Sequence, residues 1–229
     1  MADRQKSVFG MGSQTSISDS QWLELSPSSK LPEIIAGVDE VGRGALFGPV
    51  VAAAVVLPQT AFPELISAKI NDSKKLSATR RSKLAEQICE LALDWKIGCA
   101  SPAEIDKINI LQASLLAMKR AIVQLKIQPE VCLIDGNQTV KDLPQQQQQT
   151  IVKGDSKSLQ IAAASIVAKV WRDEIMIKMA LKYPMYGLEK NKGYGSKSHL
   201  IALEQHGPSP WHRHSFGPCQ KQMKINLEI

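Results

Sequence analysis

Apolar residues in this chain gather in short runs that end on charge. Ile34, Ile35, Ala36 and Val38 lead directly into Asp39 and Glu40, and after a glycine-rich turn residues 49–57 form a second run rich in valine. Continuous apolar runs of this length predict buried β-strands. Two of them joined by a short loop predict an antiparallel pair. Residues 95–99 predict a third strand. Residues 131–135 predict another, ending on Asp135, and 150–152 a last short one before Lys153-Gly154-Asp155-Ser156.

Between the strands the period changes to that of a helix. Leu76, Leu84, Ile88 and Leu91 predict a helix over 73–93, with Lys and Arg between them. Leu111, Leu115, Met118, Ile122 and Leu125 trace one stripe and predict a helix over 109–125. A long helix is expected over 158–181, opened by a buried Ala/Ile segment, and a short one over 196–205. Residues 143–149 hold a Pro and five consecutive Gln and are expected to be an exposed loop. Residues 1–30, rich in Ser, Gln and Gly without a sustained period, are expected to be a disordered tail. Strands first, then alternating helix and strand, predict an α/β fold, helices on a mixed sheet. The expected division is a tail over 1–30, a catalytic domain over 31–182, and a small helical C-terminal extension over 183–229 packing beside the site.

Composition changes the picture little. The 229 residues are 44% apolar and 22% charged, ordinary for a globular protein. The net charge of +6 fits a polyanionic partner, although a solvated Lys/Arg face gives the same balance. Cys89, Cys99, Cys132 and Cys219 form no CxxC pair, so free thiols and a reducing compartment are expected rather than zinc or disulfides. No apolar stretch is long enough to span a bilayer, and the N-terminus has no apolar signal core, so a soluble, cytoplasmic protein is expected. A monomer is the default.

Chemistry enters with the acids. Asp39-Glu40, Asp135 and Asp155 each close an apolar strand or strand-like segment. Each alone is equally well a turn former or a helix cap. Gathered at one end of a sheet, they would repel one another and either raise a pKa or recruit a cation. A hard divalent ion is the expected guest, because no His or Cys lies beside these acids to favour zinc. Gly42-Arg43-Gly44 follows at once, where two glycines allow a ligand close to the backbone and the Arg can hold phosphate or sugar oxygens.

These residues resemble the motifs of type 2 ribonuclease H. The likeness begins at Gly37-Val38-Asp39-Glu40-Val41-Gly42-Arg43-Gly44. It runs on through Phe47-Gly48-Pro49-Val50-Val51-Ala52-Ala53 and Asn71-Asp72-Ser73-Lys74-Lys75-Leu76 to Ile134-Asp135-Gly136-Asn137. It closes with Lys153-Gly154-Asp155-Ser156, the segment 163–170, Lys192-Gly193-Tyr194-Gly195-Ser196 and His199, covering about 33–217 in the family's order. The resemblance implies a ribonuclease H-like fold and two-metal hydrolysis by Asp39, Glu40, Asp135 and Asp155 with Mn²⁺ or Mg²⁺. It also implies that Gly42-Arg43-Gly44 grips the nucleotide bearing the 2′-OH, and that Tyr194 stacks near the following deoxyribose. The implied substrates are RNA–DNA hybrids and ribonucleotide-containing duplex DNA, cut 5′ of the ribonucleotide to leave a 5′-phosphate and a 3′-OH. Asn191 stands where members often have His, and Ser196 where they often have Thr; the Gln run and the long tail are further departures.

Other residues carry weaker readings. Lys74, Lys75, Lys153 and Lys169 are candidate phosphate contacts in the same groove. Ser165, inside an Ala/Ile run, fits either close helix packing or a phosphate contact. Arg172-Asp173-Glu174 reads as a solvated helix face, and His206, His212 and His214 as part of a structured tail rather than a zinc tract. Replication or repair proteins are candidate partners. Two rivals stay open here: a type 3 ribonuclease H, against which Gly42-Arg43-Gly44 argues, and a hybrid-binding module without catalysis, which would not need the four acids.

Overall fold

The computed structural model describes residues 34–70 and 76–225. Lys74, Lys75 and the expected tail over 1–30 lie outside those residues.

Five strands make one sheet: β1 (Ile35–Val41), β2 (Val50–Val56), β3 (Asp94–Ala100), β4 (Val131–Asp135) and β5 (Gln148–Ile151), in the order β3-β2-β1-β4-β5. β1 pairs antiparallel with β2, which pairs antiparallel with β3, while β1, β4 and β5 run parallel. The mixed sheet expected from the pattern is present. β2 is buried along its whole length, and its alternate residues serve two cores. Val50, Ala52, Ala54 and Val56 meet Ala113, Ala117 and Ala121 on one face. Ala53 and Val55 meet Ile88, Ala163 and Val167 on the other. An unbroken apolar strand is the signature of a sheet covered on both faces.

The longer helices are α1 (Phe62–Ser67), α2 (Ala78–Leu91), α3 (Pro102–Val123), α4 (Leu159–Lys182), α5 (Lys197–His206) and α6 (Gly217–Ile225), with a single turn of helix at Leu188–Asn191 between α4 and α5. α2 begins later than expected, with Ser77 as its cap: the Ser77 hydroxyl accepts from the Arg80 amide. α3 begins earlier, at a capping box in which Ser101 and Glu104 satisfy each other's backbone amides. Asn109, the expected start, is instead a kink with φ 67°, and its side chain caps the second segment by accepting from Gln112. The expected Gln loop is only partly a loop. Gln148 and Gln149 belong to β5, and the Gln148 carboxamide bonds the Val140 amide at 2.7 Å and the Leu143 carbonyl at 3.0 Å. A Gln in such a place is bound by its amide rather than exposed by its polarity. All four cysteines are free.

A third apolar cluster joins the C-terminal residues to the loop between β1 and β2. Leu46 and Phe47 pack with Met176, Tyr186, Leu203 and Cys219. The backbone is stitched too: Leu46 N donates to Gly193 O at 2.8 Å, Gly48 N to Trp211 O at 2.8 Å, and Arg213 N to Leu46 O at 2.8 Å.

Candidate active site

Parallel pairing of β1 with β4 sets Val38 beside Ile134, so Asp39 and Asp135 leave the sheet together. Oxygens of Asp39, Glu40 and Asp135 all lie within 4.8 Å of one another. They open into a cleft of about 640 Å³ that is also lined by Arg81, Gly136, Lys153, Asp155, Ser165 and Lys169. Asp155 reaches that cleft from the turn Gly154–Ser156 but stands outside the tight group of three. The same turn holds Asp135, whose Oδ1 accepts from the Gly154 amide at 2.6 Å.

Asp39 is only 6% exposed, and burial raises its pKa well above the carboxylate range, with Glu40 and Asp135 adding repulsion. Two hydrogen bonds work the other way, from the Ser165 hydroxyl and from the Glu40 amide at 2.7 Å. Glu40 is raised by burial and by Asp135, while Arg43, 3.2 Å away, offsets part of that. Three carboxylates this close, two of them raised first by burial and then by mutual repulsion, form a site that a bound cation would stabilise. Their all-oxygen donor set suits a hard divalent cation, and no His or Cys among the described residues joins the group.

The loop beside the acids is held from behind by two arginines. Arg172 on α4 and Arg213 are both fully buried. Arg172 donates to the carbonyls of Pro49 at 3.1 Å, Phe47 at 3.0 Å and Lys192 at 2.8 Å. Arg213 donates to Gly48 O at 3.0 Å and Arg43 O at 2.8 Å. Burial and the nearby Arg172 lower Arg213 to about 9, so it stays charged at neutral pH. The expectation of a solvated Arg172-Asp173-Glu174 face is thus corrected at Arg172: its charge is spread over buried carbonyls that need donors.

The two glycines of Gly42-Arg43-Gly44 differ. Gly42 is buried at φ 91°, and a Cβ there would stand 2.2 Å from Arg172 Nε. Gly44 is exposed, takes no positive φ, and a Cβ there would meet nothing within 4 Å. The fold therefore demands glycine at 42 and makes no such demand at 44.

Tyr194 bridges to Ala45 and is 37% exposed, with its ring 5.4 Å from the Arg172 guanidinium and 6.0 Å from Lys169 Nζ. Lys169 also bonds Asp173 at 2.7 Å. Lys153 lines the cleft with a left-handed backbone (φ 57°). Of the predicted site residues, the structure brings Asp39, Glu40, Asp135, Asp155, Lys153 and Ser165 to one cleft. It sets Arg43 against Glu40 and Tyr194 across Ala45. Arg81 was missed as a site residue, since only its place among the Lys and Arg of α2 marked it. Arg172 and Arg213 were missed as well; both read as ordinary charged residues in sequence.

The profile of the ribonuclease HII family matches residues 36–219. A ribonuclease HII from Nostoc sp. is 62% identical over 221 residues, covering 96% of this chain and 98% of that protein. The crystal structure of the ribonuclease H2 from Pyrococcus horikoshii superposes with a TM-score of 0.71 at 26% identity, covering 86% of this chain and 100% of that one. A Bst-RNase HIII in complex with Mn²⁺ gives a TM-score of 0.71 at 20% identity over 86% of this chain and 71% of that one, a likeness of fold alone. The acids, the cleft and the family-wide match agree: the chain belongs to the ribonuclease HII family of metal-dependent endoribonucleases, whose activity is cleavage of RNA–DNA hybrids.

Proposed function

We propose that this enzyme hydrolyses the RNA strand of RNA–DNA hybrids and also incises duplex DNA on the 5′ side of a single embedded ribonucleotide. The observation that carries this reading is the meeting of Asp39, Glu40 and Asp135 in one cleft directly beside the braced Gly42-Arg43-Gly44 loop. Asp39, Glu40, Asp135 and Asp155 are the residues to hold two divalent ions, Mn²⁺ or Mg²⁺. When bound, the ions supply a water acidified for attack and positive charge against the reacting phosphate.

The chain's own groups then divide the work of recognition. Gly44, open on its outer side, lets the ribose approach the backbone, where amide and carbonyl can meet both the donor and the acceptor of a 2′-OH. Arg43, tied to Glu40, links that grip to the acids. Tyr194 offers a half-open ring for stacking beside the following deoxyribose. Lys153, Lys169 and Arg81 face the cleft where phosphates would run. Lys74 and Lys75 join the reading as phosphate contacts from the family motif, and Ser165 acts on the substrate through Asp39. The products are a 5′-phosphate on the ribonucleotide and a 3′-OH upstream.

The same reading makes 31–182 the catalytic domain and 183–229 an extension that completes the site, supported by Tyr194 and Arg213 reaching the 42–49 loop. It also takes the enzyme to be a cytoplasmic monomer that works beside replication or repair proteins. Among the described residues no helix is long and apolar enough to cross a membrane.

The test is a labelled duplex carrying one ribonucleotide, incubated with Mn²⁺, with Mg²⁺, and with EDTA. A metal-dependent nick 5′ of that ribonucleotide is expected. Cutting of a long hybrid without that nick would leave hybrid cleavage standing and remove the single-ribonucleotide activity.

A further inference from the structure

Behind Tyr194 two histidines are buried together: His199 on α5 is 0% exposed and His212 is 1% exposed. Their Nε2 atoms are 3.1 Å apart. His212 Nδ1 lies 2.9 Å from the Ser209 amide, and also 2.9 Å from the Ser209 hydroxyl. His199 Nδ1 lies 2.9 Å from the carbonyl oxygen of Tyr194.

Only one arrangement of protons satisfies these contacts with both rings neutral. A backbone amide can only donate, so His212 Nδ1 must carry a lone pair and its proton sits on Nε2. That proton points at His199 Nε2, which must accept. The His199 proton is then on Nδ1, facing a carbonyl that can only accept. Every bond runs the same way, from Ser209 through His212 and His199 to Tyr194. The Ser209 hydroxyl fits the same direction: it can accept from the Trp211 amide at 3.3 Å and donate to His212. The rings stand among Phe47 and Tyr186, 4.9 Å and 4.6 Å from His212, in a site that favours the neutral forms.

We propose that His199 and His212 are positioning residues for Tyr194: with Ser209 they form a one-way relay of hydrogen bonds that fixes the backbone carrying the Tyr194 ring, and so sets how the enzyme reads the nucleotide beside the ribonucleotide. This rests on the stacking role given to Tyr194 above. Neither histidine touches substrate. The relay also explains why residues as distant in sequence as 209–212 bear on the site: they terminate a chain whose other end is the recognition residue.

Directionality makes the relay testable by amide mimics. An Asn side chain places an NH₂ near where a histidine has Nδ1, whereas Gln reaches to the position of Nε2. His199→Asn therefore keeps the donor to Tyr194, and His199→Gln loses it while retaining a partner for His212. Steady-state cleavage of a duplex with one ribonucleotide, by the Mn²⁺-loaded full chain, is the assay. His199→Gln is expected to raise KM about fivefold, the worth of one hydrogen bond, with kcat changed by less than about twofold. His199→Asn keeps the bond to Tyr194 but leaves His212 Nε2 without its acceptor, so its KM should stay within about twofold of wild type while its stability falls. Combined with Tyr194→Ala, His199→Gln should add nothing, because both act through the same ring.

Equal behaviour of the Asn and Gln variants, or effects that multiply with Tyr194→Ala, would overturn the proposal. Tyr194→Ala with a wild-type KM would instead overturn the stacking reading, and the kinetic role of the relay with it. Should the variants not fold, ¹⁵N NMR of the histidine rings in the intact chain at neutral pH decides. The proton on Nδ1 of His199 and on Nε2 of His212 supports the relay; any other tautomer, or a cationic ring, refutes it.

Discussion

Replacing Gly42 and Gly44 by alanine, one at a time, separates what the fold needs from what the substrate needs. At Gly42 the backbone is left-handed, φ 91°, which costs an alanine about 1–2 kcal/mol. The new Cβ would also lie 2.2 Å from Arg172 Nε, so the guanidinium must move. That group bonds three carbonyls at 2.8–3.1 Å. Loss of even one such charged hydrogen bond costs roughly 1.5–3 kcal/mol more. Gly42→Ala is therefore expected to destabilise the protein by about 3–5 kcal/mol. For a chain of this size that lowers Tm by on the order of 10 °C. At Gly44 none of this applies: no positive φ, and open space where the Cβ would go. Gly44→Ala should leave stability unchanged or raise it by less than about 1 kcal/mol. Its effect belongs to the substrate, where a methyl group holding the ribose off the backbone should lower kcat/KM about 10- to 100-fold. Thermal unfolding in EDTA and single-ribonucleotide cleavage in Mn²⁺ read the two quantities separately. A fully active Gly44→Ala would refute close approach of the ribose at that residue. A Gly42→Ala protein as stable as wild type would refute the Arg172 brace.

Three further outcomes are expected. Asp39 is raised by burial and by Glu40 and Asp135, so the native state keeps a proton that the unfolded chain releases near pH 4. Metal-free stability should therefore fall as pH rises from about 4 through the raised value. Asp39→Asn should flatten that fall and abolish cleavage while the chain stays folded; urea midpoints across pH, wild type against variant, check it. Glu104 shows the opposite sign. The Arg120 side chain holds it down at about 2, so its contribution is present above the ordinary carboxylate pKa and is lost as pH falls toward 2. Partial exposure limits that contribution to about 1 kcal/mol or less, and Glu104→Gln should weaken the acid side of the stability curve. Ser165→Ala removes a donor that lowers Asp39, so in the metal-free protein the fall of stability with rising pH should extend to higher pH; an unmoved fall would show that the hydroxyl does not act on Asp39.

Local order alone was enough for much of the fold. The apolar runs at 34–38, 49–57 and 131–135 are the strands 35–41, 50–56 and 131–135, because a strand buried on both faces needs nothing but apolar side chains. Helix ends were read less well. The helix expected over 73–93 runs over 78–91, capped by Ser77, and the one expected from 109 begins at 102, behind the Ser101 capping box. The Gln run misled because composition says polar, whereas Gln148 satisfies its amide on Val140 and Leu143 inside the edge of the sheet.

For the site, the sequence by itself marked the groups proposed to carry chemistry: Asp39, Glu40, Asp135, Asp155, the glycines around Arg43, and Tyr194. Each sits where a strand or turn ends, and chain order marks such places. The tertiary structure decided how those groups are arranged. Neighbours on a strand point to opposite faces, so alternation would part Asp39 from Glu40, yet their oxygens meet with that of Asp135 at the end of β1. It alone divided Gly42 from Gly44, because the difference is the approach of Arg172 from 130 residues along the chain. It alone buried Arg172, Arg213, His199 and His212 behind the 42–49 loop and Tyr194, where polar side chains are held by carbonyls and by each other. The physical reason is one of range: strand and helix preferences act over a few neighbouring residues, whereas satisfying a buried charge depends on whichever backbone the completed fold brings within 3 Å.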